Sequence, residues 1–527
     1  MMIASLVVKV IGAFFQIPLQ NLIGGESSPA FGLFSAAYRI YTAMLVISTV
    51  GLPAALSKMV AEATACGRER EVRRIVRVAA GIFVPVGALA TVILLCGADT
   101  FAGWIKNPDA ELAVMAIAPS VLMVSILSVF RGYYQGRANM VPTAVSQVIE
   151  AMGKLFVGLG LAWYAVQQGM NEPQTAAMAV LGVTLGEVVA AAYMLVQAAA
   201  TRRRAERVRV LNDAVRPTGQ LAKTLLSLSI PITISSAVMS LTDLIDVALI
   251  SARLQSPAVG MTAEQATTAY GIYTGNAVNF FNLPQTLITA LAVSVLPTIA
   301  SARAAQNFIK VSRTLATTLR LTMIITLPAG AGFLLLSGPI LRLFYSEGTE
   351  LGGQLMALLG FAVPAVALVA ITNAVLQAFG RIDLPLISMF LGALVKIFGD
   401  YYLIGIPELN IAGAPISTAV CYWLIALINL FHISRLSHSL PLIGKTVGRP
   451  LAATVGMGAA TYICHTVLLR VTDAAPGAAA DKLVTLVVIA VAVAVYGVLL
   501  LMLHAVDRED MLLLPKGEKI ADILHLK

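Results

Sequence analysis

Charge is scarce in this chain. Asp, Glu, Lys and Arg make up only 12% of its 527 residues, about half of the roughly 25% usual in soluble globular domains, and that scarcity excludes water as the main solvent. Cysteine is nearly missing. Cys66, Cys96, Cys421 and Cys464 lie far apart without CxxC or metal-ligand spacing, which excludes a disulfide framework and reads as inert apolar filling. The histidines, His432, His438, His465, His504 and His525, form no HExxH or comparable pattern, so no metal centre is expected. Gly444-Lys445-Thr446 looks like the end of a P-loop, but Ser439 stands where its first glycine belongs and no strand precedes it. An ATPase module is therefore excluded, and all connections are too short for an extramembrane catalytic domain. The chain reads as a transporter rather than an enzyme.

What is present is a succession of apolar runs from Met1 to His504, each close to the ~20 residues that cross a bilayer's hydrocarbon. The reading is fourteen transmembrane helices. The first run has no basic residues before it and no small-residue cleavage site after it, so it is expected to be a first helix and not a signal peptide. The net charge of +9 comes from short basic clusters between the runs, with no aromatic platform beside them. That excludes nucleic acid as a partner and points to membrane topology, because cytoplasmic loops keep Lys and Arg. One side takes the cluster from Arg68 to Arg77, then Arg131 and Arg137, the run from Arg202 to Lys223, Arg303 to Arg320, Arg381, Arg435 to Arg449 and the tail. The opposite loops hold only Lys106, Arg253, Arg342, Arg470 and Lys482. Both termini are thus expected in the cytoplasm.

Sliding the chain against itself aligns Pro53 with Pro297, Pro85 with Pro328, Pro119 with Pro364 and Pro142 with Pro385, and Gly136-Arg137 with Gly380-Arg381. The shift spans an even number of helices, so the two copies share one orientation and form two six-helix lobes, with alternating access by rocking of one lobe against the other. The expected organisation is an N-terminal lobe at 1–200, a cytoplasmic linker at 201–220, a C-terminal lobe at 221–434, appended helices thirteen and fourteen at 435–504 and a cytoplasmic tail at 505–527. Prolines inside spans, including Pro18, Pro85, Pro119, Pro328 and Pro364, free carbonyls that must find partners in protein or cavity water.

Ionisable residues inside spans are the candidates for function, since a charge there costs about 3 to more than 10 kcal/mol and faces a cavity or a partner. They are Lys9, Arg39, Glu150, Lys154 and Glu187 in the first lobe, and Asp243, Asp246, Lys396 and Asp400 in the second, with Arg253 at an outer helix end. Asp243 and Asp246 lie three apart on one helical face, and Lys396 and Asp400 four apart on another. Those four are expected to form a buried polar cluster, in packing or in coupling to Na+ or H+. Glu150 and Lys154 have the spacing of an intrahelical pair.

The stretch Lys9-Val-Ile-Gly-Ala-Phe-Phe-Gln-Ile-Pro-Leu-Gln-Asn-Leu-Ile-Gly24, then Tyr38-Arg-Ile-Tyr41 and Ser48-Thr-Val-Gly-Leu-Pro-Ala-Ala-Leu-Ser-Lys-Met-Val-Ala-Glu62, resembles the opening of the stage V sporulation protein B and YtgP family. That family belongs to the MOP superfamily. Arg131-Gly-Tyr-Tyr-Gln-Gly136, Pro142-Thr-Ala-Val-Ser-Gln-Val-Ile-Glu150, Leu376-Gln-Ala-Phe-Gly380 and Arg508-Glu-Asp-Met-Leu-Leu-Leu-Pro-Lys-Gly517 extend the likeness over the chain. The resemblance implies a MOP/MATE-like all-α fold and a MurJ-like flippase of the cytoplasmic membrane. Its substrate would be an undecaprenyl-pyrophosphate-linked saccharide such as lipid II, with cell-wall polymerases as further partners and no cofactor. Arg39, Lys9 and Arg253 are then the expected holders of the pyrophosphate. The alternative within the superfamily is a MATE-type cation-coupled multidrug exporter, which has twelve helices and lacks the appended pair.

Overall fold

The computed structural model describes residues 2–24, 28–49, 51–104, 106–205, 216–381, 383–437, 444–472 and 478–506. Half of the expected linker, the tail from residue 507 and the 508–517 likeness lie outside the described residues, as do His438 and Ser439. Everything regular among them is helical, as hydrocarbon demands when every backbone N–H and C=O must be paired within the segment.

The first compact unit runs from Met1 to Gly275. It contains α1 (Met2–Ile23), α2 (Ala30–Thr49), α3 (Gly51–Ala65), α4 (Glu69–Cys96), α5 (Ala98–Trp104), α6 (Glu111–Gly136), α7 (Val141–Met152), α8 (Leu159–Gln167), α9 (Glu172–Ala205), α10 (Thr218–Leu254) and α11 (Ala263–Ile272). Between α7 and α8 the helix continues through a π-helical turn, Gly153–Gly158. The turn lies against α9, where a Cβ on Gly153 would meet the Cα of Gly186 and one on Gly182 the backbone of Gly158. Only glycine allows this approach. Leu221 and Leu225 of α10 are buried among Leu52, Leu56 and Met59 of α3 and Val72 and Ile75 of α4. The register of the prolines concerns ancestry, and lobes at 1–200 and 221–434 are proposed on that ground. The packing of α10 within the first unit is a separate fact about contacts.

The second unit begins at Asn276. It holds α12 (Asn279–Ala304), α13 (Phe308–Phe344), α14 (Thr349–Gly360), α15 (Ala362–Ala378), α16 (Asp383–Ile404), α17 (Gly413–Ser437), α18 (Arg449–Thr472) and α19 (Ala478–Met502). Its main core joins α12, α13, α15 and α17 through Ile299, Leu315, Ile371, Val375, Cys421 and Ile425. α13 carries Pro328 and Pro339 and breaks at Leu336, whose φ/ψ of −120°/15° is not helical. Leu336 is itself buried with Val484 and Val488 of α19. α14 and α15 meet at a 47° bend, and Pro364 falls in the first turn after it, where its missing N–H has no carbonyl to satisfy.

Nine helices among the described residues are long and apolar enough to cross a membrane, or ten if α14 and α15 form one bent span. Fourteen remains the count read from the sequence. The surfaces agree with a lipid solvent: Val86, Leu89, Val92 and Ile93 of α4 are all exposed, an apolar stripe that would aggregate in water.

Candidate functional site

A charged hub is buried in the first unit. α6 delivers Arg131 and α7 delivers Ser146 and Glu150, both within the described span 141–167. Lys154 comes from the π turn, Glu187 from α9, and Tyr38 and Tyr41 from α2. The Arg131 Nε donates to Ser146 Oγ at 3.0 Å, and its Nη2 to Glu150 Oε2 at 3.1 Å. Lys154 Nζ donates to Glu150 Oε1 at 2.7 Å and to the Tyr41 hydroxyl at 3.4 Å. Tyr41 in turn donates to Glu187 Oε1. The Lys154 ammonium also lies 5.1 Å from the centre of the Tyr41 ring and 5.8 Å from that of Tyr38, within cation–π range.

The arrangement balances two carboxylates against two cations, which is what makes burial tolerable. It is not fully satisfied, however. Glu187 has no exposed surface, and its Oε2 finds no hydrogen-bond partner among the described residues. Leaving one oxygen of a buried carboxylate without a partner costs stability. The π turn has a role in this, since its extra residue re-aims the side chains that follow α7 and Lys154 is the second residue of the turn.

The second unit has a smaller pair. On α16, Lys396 Nζ donates to Asp400 Oδ2 at 2.8 Å, and Ser417 of α17 donates to the other oxygen. Both charges are buried. About three helical turns away, Asn429 of α17 donates to Thr372 at 3.0 Å and Asn373 at 2.8 Å and accepts from Ser388 at 2.7 Å, tying α15, α16 and α17 together. Asn429→Leu removes all three bonds and is expected to lower stability by about 1–3 kcal/mol. Chemical or thermal unfolding in micelles reads this, and an unchanged midpoint would show that the three bonds contribute nothing net.

The remaining candidates distribute as follows. Arg39 is half-buried on α2 beside Tyr38, and Arg253 is half-buried in the last turn of α10. Lys9 lies in α1 and Asp243 in α10, with side chains outside the described residues. Asp246 is buried on α10 in the first unit, and the Lys396–Asp400 pair belongs to the second. Sequence reasoning missed Arg131. Its place at the end of an apolar run assigned it to a cytoplasmic loop, yet it is buried in α6. The signal was Glu150, a carboxylate within a span with a single intrahelical cation to share. Among the described residues no group of three or more His, Cys, Asp or Glu side chains is placed to hold a metal ion.

Multiple apolar helices with charges buried and paired inside them define a polytopic membrane protein. The family model "Lipid II flippase MurJ" matches residues 59–472, so the chain belongs to the MurJ lipid II flippase family. It is 26% identical over 521 residues to the stage V sporulation protein B of Bacillus subtilis (strain 168), covering 97% of this chain and 96% of that one. Its fold is similar to that of a lipid II flippase MurJ solved in an inward closed conformation, with a TM-score of 0.71 at 15% identity over 94% of this chain and 97% of the other. It is also similar to an inward-facing multidrug resistance MATE family transporter of the MOP superfamily, with a TM-score of 0.63 at 17% identity over 83% of this chain and 98% of the other.

Proposed function

We propose that this chain carries a lipid-linked saccharide precursor of the lipid II type across the cytoplasmic membrane by alternating access, with both termini in the cytoplasm. The observation that carries the reading is the reach of the lipid II flippase family match, residues 59–472, which runs through parts of both compact units rather than through one shared element. Arg39 and Arg253, half-buried on α2 and α10, are proposed with Lys9 as cations for the pyrophosphate, a group that fixed cations bind strongly where water is scarce. The Lys396–Asp400 pair and Asp246, with Asp243, are proposed for coupling to Na+ or H+. Cell-wall polymerases that consume the translocated precursor are proposed partners.

The test is replacement in cells depleted of their own lipid II flippase. Wild type is expected to restore growth and the appearance of lipid II on the outer leaflet. Arg39→Ala, inserted in equal amount, is expected to lower that appearance about tenfold or more, the loss of one strong charge-assisted contact. Correctly inserted wild type that leaves lipid II on the inner leaflet would sink the lipid II assignment.

A further inference from the structure

We infer that a cavity of about 370 Å³ at the ends of α13, α18 and α19 is a binding site for lipid-borne phosphate. The cavity lies wholly within the second unit. It is lined by Arg342 from the last turn of α13, His465 from α18 and Lys482 from the first turn of α19, with Tyr345, Asp481 and Thr485 beside them. Its volume falls in the range of small-molecule sites, about 300–1,000 Å³.

Three features make this corner more than a set of helix ends. First, basic residues are scarce on the side of the membrane where it falls. The loops there hold only Lys106, Arg253, Arg342, Arg470 and Lys482. Two of these line one cavity, and Arg470 closes α18, the helix that supplies His465. Topology does not call for positive charge on that side, so its convergence needs another cause.

Second, the cavity has an origin in the backbone. α13 breaks at Leu336, which is held in a core with Val484 and Val488, and the last two turns of α13, with Pro339 and Arg342, leave the straight path of the helix. Among the described residues Arg342 and Asp481 form no ion pair within 4.0 Å. That carboxylate sits in the first turn of α19, where the helix dipole stabilises it, so the lining keeps an excess of positive charge.

Third, the rim is apolar and faces lipid. Ile463 and Val467 flank His465 on α18, and Leu483 and Leu486 follow Lys482 on α19. All four are exposed, at 52–65%. A phosphate among the cations would therefore have its own hydrocarbon chain lying along these helices. A free phosphate gains only from the polar half of the site, whereas a lipid gains from both, at ~0.8 kcal/mol for each methylene removed from water and through charge-assisted bonds to Arg342 and Lys482. The site stands whether or not the flippase reading holds, and only its assignment to the cargo rests on that reading.

The experiment uses the full-length chain in detergent micelles supplied in turn with phosphatidylglycerol, undecaprenyl diphosphate and phosphatidylcholine, the lipid retained after gel filtration being counted by mass spectrometry. Wild type is expected to retain at least one of the two anionic lipids about tenfold better than Arg342→Ala/Lys482→Ala. Both proteins should hold phosphatidylcholine equally, which checks that the variant is folded. Arg342→Lys/Lys482→Arg, which keeps the charges, should retain the anionic lipid as wild type does. A preference for undecaprenyl diphosphate makes the cavity a station for the cargo, and a preference for phosphatidylglycerol makes it the seat of a resident lipid. Equal retention by wild type and the alanine variant overturns the proposal. So does a charge-keeping variant no better than the alanine one, or full displacement of the lipid by millimolar inorganic phosphate.

Discussion

Arg131→Met is expected to lower the stability of the protein in micelles by about 3–5 kcal/mol, the loss found when one partner of a buried ion pair is removed. Arg131 is 6% exposed and donates to both Ser146 and Glu150. Without it, Glu150 and Glu187 share the single charge of Lys154, in surroundings where an uncompensated charge is poorly solvated. The volume lost is small, because methionine fills much of the same space, so charge and packing separate cleanly. Adding Glu187→Gln to Arg131→Met restores the balance of one anion to one cation and is expected to recover a large part of the lost stability. Thermal unfolding of the three proteins decides it. A single variant as stable as wild type, or a double variant no better than the single, would mean the hub is not held together by its charges.

In the second unit, Asp400→Ala strips Lys396 of a carboxylate 2.8 Å away, both being buried. The expected loss is again about 3–5 kcal/mol. The informative companion is Lys396→Met/Asp400→Leu, which removes both charges and fills the space with apolar atoms. Such replacement of a whole buried pair is often neutral or stabilising. A double variant that regains its unfolding midpoint but does not transport assigns the pair to coupling; one that regains both assigns it to packing. A double variant as unstable as Asp400→Ala contradicts the electrostatic account altogether.

The class of the protein was legible in its composition, because the bilayer imposes one requirement on every span and the runs between Met1 and His504 meet it visibly. Local pairs were legible too. The i,i+4 spacing that sets Glu150 beside Lys154 and Lys396 beside Asp400 is a property of helix geometry alone, and both pairs are bonded, at 2.7 and 2.8 Å. What could not be read was anything made by three or more helices meeting. Arg131, Tyr41 and Glu187 come from α6, α2 and α9, and no periodicity links them. The loop-charge rule worked against Arg131, since it treats a cation near the end of an apolar run as solvated. One break has a cause in the sequence: Leu336 interrupts α13 three residues before Pro339, whose ring and missing N–H disturb the turn that precedes it.

The π turn at Gly153–Gly158 also bears on inheritance. An i→i+5 turn holds one residue more than an i→i+4 turn, so a relative whose helix runs on without it will align here only across a one-residue gap. Loss of a single codon normally turns half of a helix out of register and ruins it. At this place the same loss would straighten the helix and leave the apolar faces of α7 and α8 in a continuous α-helical phase. Glu150 and Lys154 keep their i,i+4 contact in either geometry, so the change falls on the aim of Lys154 toward Tyr41 of α2, and descendants can differ in that contact between helices while sharing every span.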